Sequence, residues 1–188
     1  SKEDVHDAMA SPLARFLISR AVKSPVLGNY LHWYLVAEFS APTKDDREVA
    51  LFMRVHEAFL NSLEGSGQTV GIMQQTQLLK KLFMLGTEQK RLGGSLETKK
   101  RRMCEKLSPG GEYEDMAEFP SVPLPYDPAL QVKGVVPTSP RVFKSAMMPY
   151  TLEFVTQHAQ KTHRVMFKIG DDVRQDQLIL QMITSVSY

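Results

Sequence analysis

The apolar residues of this 188-residue chain change period part-way along it. Up to about residue 107 they recur every three or four positions, the spacing of one helix face. Beyond about residue 129 they alternate, the spacing of one strand face. A segment patterned for a helix does not settle into a sheet, nor the reverse. The expected fold class is therefore α+β, with an α-helical array first and an antiparallel β-sheet with a helix after it.

Two serine–proline pairs mark the first helices. In "SPLARFLISRAV", Ser11 is placed to cap and Pro12 to occupy the first helical position; Ser24 and Pro25 do the same in "SPVLGNYLHWYLVAEFS". Leu13, Phe16, Leu17 and Arg20 follow helical spacing in the first, and Leu27, Leu31, Tyr34 and Leu35 form a stripe in the second. Phe52, Val55, Phe59 and Leu63 share a face of a third helix, which ends at "EGSGQ". A fourth helix is expected from about Val70 to Thr87, with Leu78, Leu82 and Leu85 in register. A fifth, Leu96 to Leu107, carries "KKRR". Short connections between five helices imply antiparallel neighbours in a layered array.

Residues 108–128, "SPGGEYEDMAEFPSVPLPYDP", are dense in glycine, proline and acids and read as a linker. After them come "LQVKGVV", "RVFKSAM", "TLEFVTQ" and "RVMFKIG", β-branched and aromatic runs of strand length. "DDVRQDQLILQMITSV" then turns helical. The expected organisation is a helical part over 1–107, a linker over 108–128 and a strand-then-helix part over 129–188.

Composition narrows the function classes. The formal net charge is +2, so nothing in the overall charge calls for nucleic acid or an anionic membrane. The single cysteine, Cys104, excludes an internal disulfide framework and points to a reducing compartment. The polar start "SKEDVHDAMA" does not read as a signal peptide, and no apolar run reaches the roughly 18 residues of a membrane span, so any membrane contact is expected to be peripheral.

The chemistry concentrates in "FKIGDDVRQDQLILQM". On a strand over residues 164–169, Val165, Phe167 and Ile169 share one face and Arg164, Met166 and Lys168 the other. The first set suits a core. The second places an ammonium beside a soft apolar side chain, as in a cleft that binds a flat apolar ring and an anion together. Gly170 ends the strand, Asp171 or Asp172 can cap the helix that follows, and Asp176 stands about one turn in. Spacing leaves two readings open: a surface ion pair of small worth, or a carboxylate that holds Lys168 toward nucleotide phosphates. Similarly, the bend Lys144-Ser145-Ala146-Met147-Met148-Pro149 is either an ordinary turn or a loop whose backbone N–H groups face phosphates.

Taken together, "FKSAMMP" and "FKIGDDVRQDQLILQM" resemble the phosphatidylinositol 3-kinase family, class III in particular. The Gly-Asp-Asp-x-Arg-Gln-Asp element also occurs in class I lipid kinases, 4-kinases and their protein-kinase relatives; "KSAMMP" and "QLILQM" are the sharper class III features. Upstream, "FLISRAVKSPVLGNYLHWYLVAEF" resembles the last helices of the family's helical domain, and "VKGVVPTSPRVFKSAMMP" the entry to the kinase amino-terminal lobe. The likeness is weakest between about residues 41 and 120. Ile169, where a polar residue is expected, and Val173, in place of leucine, depart mildly from the pattern.

The resemblance implies that Lys168 contacts the ATP phosphates and that Asp176 orients it. It further implies that Lys144, Ser145 and Ala146 belong to the phosphate-binding loop, and that Phe143 and Met166 line the adenine pocket. The base-bearing Asp-Arg-His-x-x-Asn loop and the Asp-Phe-Gly segment are not in this sequence. The ligands for Mg2+ are accordingly expected outside this chain, and residues 1–188 alone should not catalyse. The family implies ATP and Mg2+ as cofactors and phosphatidylinositol in membranes as substrate. It also implies partnership with a protein-kinase-like regulatory subunit and a Beclin-type subunit, work in endosomal sorting and autophagy, and a cytoplasmic location, peripheral on those membranes. Two alternatives stand beside it: a non-catalytic helical scaffold, and another phosphoinositide kinase, a 4-kinase or a class I enzyme.

Three other features carry less. "GSGQTVG" lies between helices rather than after a strand, and reads as a connector. "TKKRRMCEK" reads as a solvated helix face. The five histidines, His6, His32, His56, His158 and His163, lack metal-ligand spacing with Cys104; His32 and His56 are expected to be packing or surface residues, and Trp33 and Tyr34 to belong to the helical core.

Overall fold

The computed structural model describes residues 11–41, 44–157 and 161–170. Five helices come first: α1 (Pro12–Val22), α2 (Pro25–Phe39), α3 (Asp46–Ser62), α4 (Gly67–Arg91) and α5 (Leu96–Leu107). A 3-10 turn at Glu114–Met116 precedes five strands: β1 (Val122–Leu124), β2 (Asp127–Val135), β3 (Arg141–Val142), β4 (Tyr150–Thr156) and β5 (Thr162–Phe167). The fold is α+β, helices before antiparallel strands as expected; the helix expected in "DDVRQDQLILQMITSV" lies outside the described residues. The helix starts follow from the caps. The Ser11 and Ser24 hydroxyls accept the N–H groups of Ala14 and Leu27, and Asp45 accepts those of Arg47 and Glu48. β1 arises within the span read as linker, and "RVFKSAM" yields only the two residues of β3.

The chain divides into two compact units. The first comprises Ser1–Leu79, Pro120–Lys133 and Thr156–Ala159; the second comprises Lys80–Phe119, Gly134–Val155 and Gln160–Tyr188. In the first, α1, α2 and α3 pack on one another around Ala14, Ile18, Ala21, Leu35, Val55, Phe59, Leu63 and Ile72. The α3 stripe is as expected, but α1 buries Ala14, Ile18 and Ala21 and leaves Leu13, Phe16 and Leu17 exposed. Small residues decide the matter here, because they let helices approach closely. A Cβ added at Gly28 would stand 3.1 Å from the Ala21 carbonyl oxygen and 2.5 Å from Gln68 Oε1. α2 accordingly turns Gly28, Asn29, His32 and Leu35 inward. Leu27 and Tyr34 face outward, so Tyr34, at 58% exposure, is not a core residue.

His32 and His56 meet inside this unit, His56 Nε2 lying 2.9 Å from His32 Nδ1. The Trp33 ring stands edge-on to His32, and Phe39 lies against His56. Burial, and next the neighbouring His56, lower the His32 pKa from 6.5 to about 4. Burial lowers that of His56 as well. Above pH 6.5 both rings are neutral whether the chain is folded or not. As pH falls from 6.5 toward 4, the unfolded chain takes up protons that the folded one refuses, and stability drops across that window. The loss from His32 should be on the order of 2–3 kcal/mol. Urea unfolding of the chain at pH 7 and at pH 4.5 checks it: wild type should lose stability between the two, and His32→Gln should lose clearly less.

In the second unit, Tyr113 donates to Glu88 at 3.0 Å, and Lys106 bridges Glu88 and Glu112. Burial, and next the Glu88 hydrogen bond, push the Tyr113 phenol up to about 12. The buried ammonium of Lys99 donates to the Gln89 and Leu92 carbonyls, closing the end of α4 where the helix dipole favours a cation. Here β4 pairs with both β3 and β5, while in the first unit β1 pairs antiparallel with β2. The β4–β5 pairing is antiparallel, matching Tyr150 to Phe167 and Val155 to Thr162.

Candidate functional site

The candidate site is built at one end of β4, within the second unit. β3 pairs with β4 through Val142↔Tyr150, and the chain between them bulges out as the loop 143–149. Phe143 N–H donates to the Pro149 carbonyl at 2.9 Å and closes the loop's neck. Met148 N–H donates to the Ser145 carbonyl at 3.0 Å and folds its tip. Met148 takes φ 46°, a region that non-glycine residues seldom occupy, so the tip holds a specific bend. Lys144, Ser145 and Ala146 are exposed at that bend, and Phe143 is 40% exposed at the neck.

Ser145 Oγ accepts the Met147 N–H at 3.3 Å. A hydroxyl can accept one bond and still donate its own hydrogen, so this contact fixes the side chain while leaving a donor for an anion. The loop thus offers a cation at Lys144, a donor at Ser145 and a small residue at Ala146.

β5 supplies the other half. Its burial alternates, with Val165, Phe167 and Ile169 turned inward and Arg164, Met166 and Lys168 exposed, as the strand parity requires. Met166 pairs with Thr151, and Phe167 with Tyr150. The same register carried one step further sets Lys168 opposite Pro149, the residue that closes the loop's neck. Gly170 follows at φ 78°, and a Cβ placed on it would lie 3.8 Å from Met147 Cε. The loop and the end of β5 are therefore neighbours. Phe143, Lys144, Ser145, Ala146, Met166 and Lys168 gather at one end of the sheet; Asp176 lies outside the described residues.

Below this end the packing is tight. The Tyr150 ring stacks on Phe167 at 5.3 Å between centroids, and its hydroxyl donates to the Leu82 carbonyl of α4 at 2.6 Å. Burial raises the Tyr150 pKa, which keeps the phenol neutral. The sequence pattern did not disclose this support, because a tyrosine at a strand start gives no sign of its partner 68 positions away. Met166 also has an unforeseen neighbour. Thr151, its cross-strand partner, is buried with a hydroxyl that lacks a hydrogen-bond partner among the described residues.

Elsewhere in this unit, a polar cleft of about 580 Å³ is lined by residues including Lys100, Arg141, Glu153 and Arg164. Arg164 is paired with Glu153, and Lys100 lies 3.7 Å from Glu97, so most of its charge is matched internally. No group of three or more histidine, cysteine or acidic residues fit to hold a metal occurs among the described residues. No described helix is long and apolar enough to cross a membrane. Of "GSGQTVG", read as a connector, only Gly65 and Ser66 lie between α3 and α4, Gly65 turning at φ 77°; from Gly67 on it is the start of α4.

Helices followed by an antiparallel sheet, with an exposed Lys-Ser-Ala loop beside a strand that ends in lysine, define the class: a helical array leading into a kinase-like amino-terminal lobe. Comparison with known proteins narrows the class. No family model matches the chain. It is 34% identical to the phosphatidylinositol 3-kinase pik3 of Schizosaccharomyces pombe over 93% of its length, covering 21% of that protein. It is 35% identical to the phosphatidylinositol 3-kinase catalytic subunit type 3 of Caenorhabditis elegans over 97% of its length, covering 22% of it. For the phosphatidylinositol 3-kinase VPS34 of Saccharomyces cerevisiae the figures are 32%, 93% and 19%. The chain spans about a fifth of the length of these curated relatives. Over that span it is similar to phosphatidylinositol 3-kinases.

Proposed function

We propose that this chain carries the phosphate-gripping half of the ATP site of a lipid kinase. The whole protein would transfer the γ-phosphate of ATP to the 3-hydroxyl of phosphatidylinositol. The observation that carries the reading is the convergence of the Lys144-Ser145-Ala146 loop and the Met166–Lys168 strand end at one end of the sheet. Donors and cations of this kind suit a polyphosphate, and an exposed methionine and phenylalanine suit a flat base. Lys168 holds the phosphates, Ser145 donates to a phosphate oxygen, and Phe143 and Met166 flank the base. Asp176 orients Lys168 from the segment that follows. When bound, Mg2+ neutralises charge on the transferring phosphoryl group, its ligands coming from outside this chain. Work at endosomal and autophagic membranes, with a protein-kinase-like regulatory subunit and a Beclin-type subunit, belongs to the same proposal.

Product analysis tests it. The full-length protein, given labelled ATP, Mg2+ and phosphatidylinositol vesicles, should yield the 3-phosphate. A 4-phosphate product would move the protein to another lipid-kinase class, and no transfer under any lipid condition would favour a scaffold. Residues 1–188 alone should show no turnover in the same assay; measurable turnover would overturn the division of the site between this chain and the rest.

A further inference from the structure

One face of α4 touches both halves of the candidate site. Leu82, Gly86 and Lys90 are spaced by four residues and so lie in line along the helix. The Leu82 carbonyl accepts the Tyr150 hydroxyl at 2.6 Å, and Tyr150 is the first residue of β4, immediately after the loop's closing Pro149. At Gly86 the helix is notched. A Cβ there would stand 2.6 Å from Tyr150 Cε1 and 2.9 Å from Ile169 Cγ1, distances that real Cβ atoms do not tolerate. Lys90 Nζ donates to the Ile169 carbonyl at 3.3 Å. Ile169 is the residue directly after Lys168.

We infer that the Leu82–Gly86–Lys90 face of α4 positions Lys168, Gly86 and Lys90 acting as positioning residues that hold the lysine's backbone at a set height against the Lys-Ser-Ala loop. The inference rests on the reading of Lys168 as the phosphate-binding lysine. Three contacts fix the short segment that carries it. Gly86 receives the Ile169 side chain, Lys90 ties down the Ile169 carbonyl, and Met147 of the loop lies over Gly170. The same notch seats the Tyr150 ring, so one helix face sets the loop's anchor and the lysine's anchor together. A methyl group at position 86 would push apart two groups that the site needs at a fixed separation. Lys90 reaches this segment at the Ile169 carbonyl, and its effect on phosphate binding would pass through that residue.

The test uses the full-length protein and four variants, Lys90→Met, Lys90→Arg, Gly86→Ala and Lys168→Met, with Lys80→Met as an exposed control on the same helix. KM for ATP, KM for phosphatidylinositol and melting temperature are measured on each. Loss of one hydrogen bond or a small backbone shift corresponds to a rise of roughly three- to tenfold in KM for ATP for Lys90→Met and Gly86→Ala. KM for the lipid should stay within about twofold, and Lys90→Arg, which keeps a donor, should recover most of the ATP affinity. An ATP KM for Lys90→Met equal to that of Lys80→Met overturns the inference. So does a parallel rise in both KM values with a lowered melting temperature, the mark of a merely structural role. If Gly86→Ala fails to fold, the Lys90 pair decides alone. Normal ATP binding by Lys168→Met would sink the reading of Lys168 itself; loss of ATP binding there with wild-type behaviour in the α4 variants would sink only the positioning role.

Discussion

Lys168→Ala in the full-length protein is expected to abolish lipid phosphorylation while leaving the protein folded. Lys168 is exposed and follows the last residue of β5, so its replacement removes little buried surface. What it takes away is the cation that, in the proposed function, grips the ATP phosphates beside the 143–149 loop. Removing one preorganised charged donor from a transition-state site costs about a hundredfold or more in rate. Labelled-phosphate transfer to phosphatidylinositol, read beside a thermal melt, separates the two effects: activity should fall to background and the melting temperature should hardly move. Lys168→Arg should rescue poorly, because a planar guanidinium fork does not replace a compact ammonium. Full activity in the alanine variant would remove Lys168 from the site.

Much of this site was legible because strand parity is a strict rule. Once residues 164–169 are taken as a strand, Met166 and Lys168 must share a face, and the exposure pattern shows that they do. The caps at Ser11 and Ser24, and the span of α5, were equally readable, since a serine before a proline offers the backbone few alternatives. Two things were not readable. The buried face of α1 went to Ala14, Ile18 and Ala21 rather than to the larger residues. Hydropathy rewards size, whereas close helix packing rewards smallness, and the winner depends on the neighbour. The support under the site was also hidden. The Gly86 notch and the Lys90 contact join positions more than 60 residues apart, and a glycine within a helix pattern reads as a weak spot until its neighbour is known. Short-range pattern therefore marked the exposed face of β5 and missed the α4 contacts behind it.

The second large effect is expected in the first unit, at Gln75. This side chain is 1% exposed and uses every polar group it has. Its Nε2 donates to Asn29 Oδ1 at 2.6 Å and to the Pro123 carbonyl at 2.8 Å, while its Oε1 accepts the Trp33 indole N–H at 2.6 Å. Asn29 in turn donates to the Pro125 carbonyl at 2.7 Å. A single amide thus ties α2, α4 and the β1 segment within the first unit. Gln75→Leu keeps the volume but leaves an indole donor, an amide oxygen and a backbone carbonyl without their partner. Each buried orphan costs about 1–3 kcal/mol, and the three together, which share one site and do not add fully, should cost about 3–4 kcal/mol. That is a large share of the ~5–15 kcal/mol that holds a typical domain folded. Gln75→Glu should be no milder, because a carboxylate cannot donate to Asn29 Oδ1 or to Pro123, and it buries a charge opposite two acceptors. Trp33 is the only tryptophan in the chain, so its emission reports directly on this knot during urea unfolding. A Gln75→Leu variant within about 0.5 kcal/mol of wild type, the range of an ordinary surface substitution, would show that the knot is not what joins these three elements.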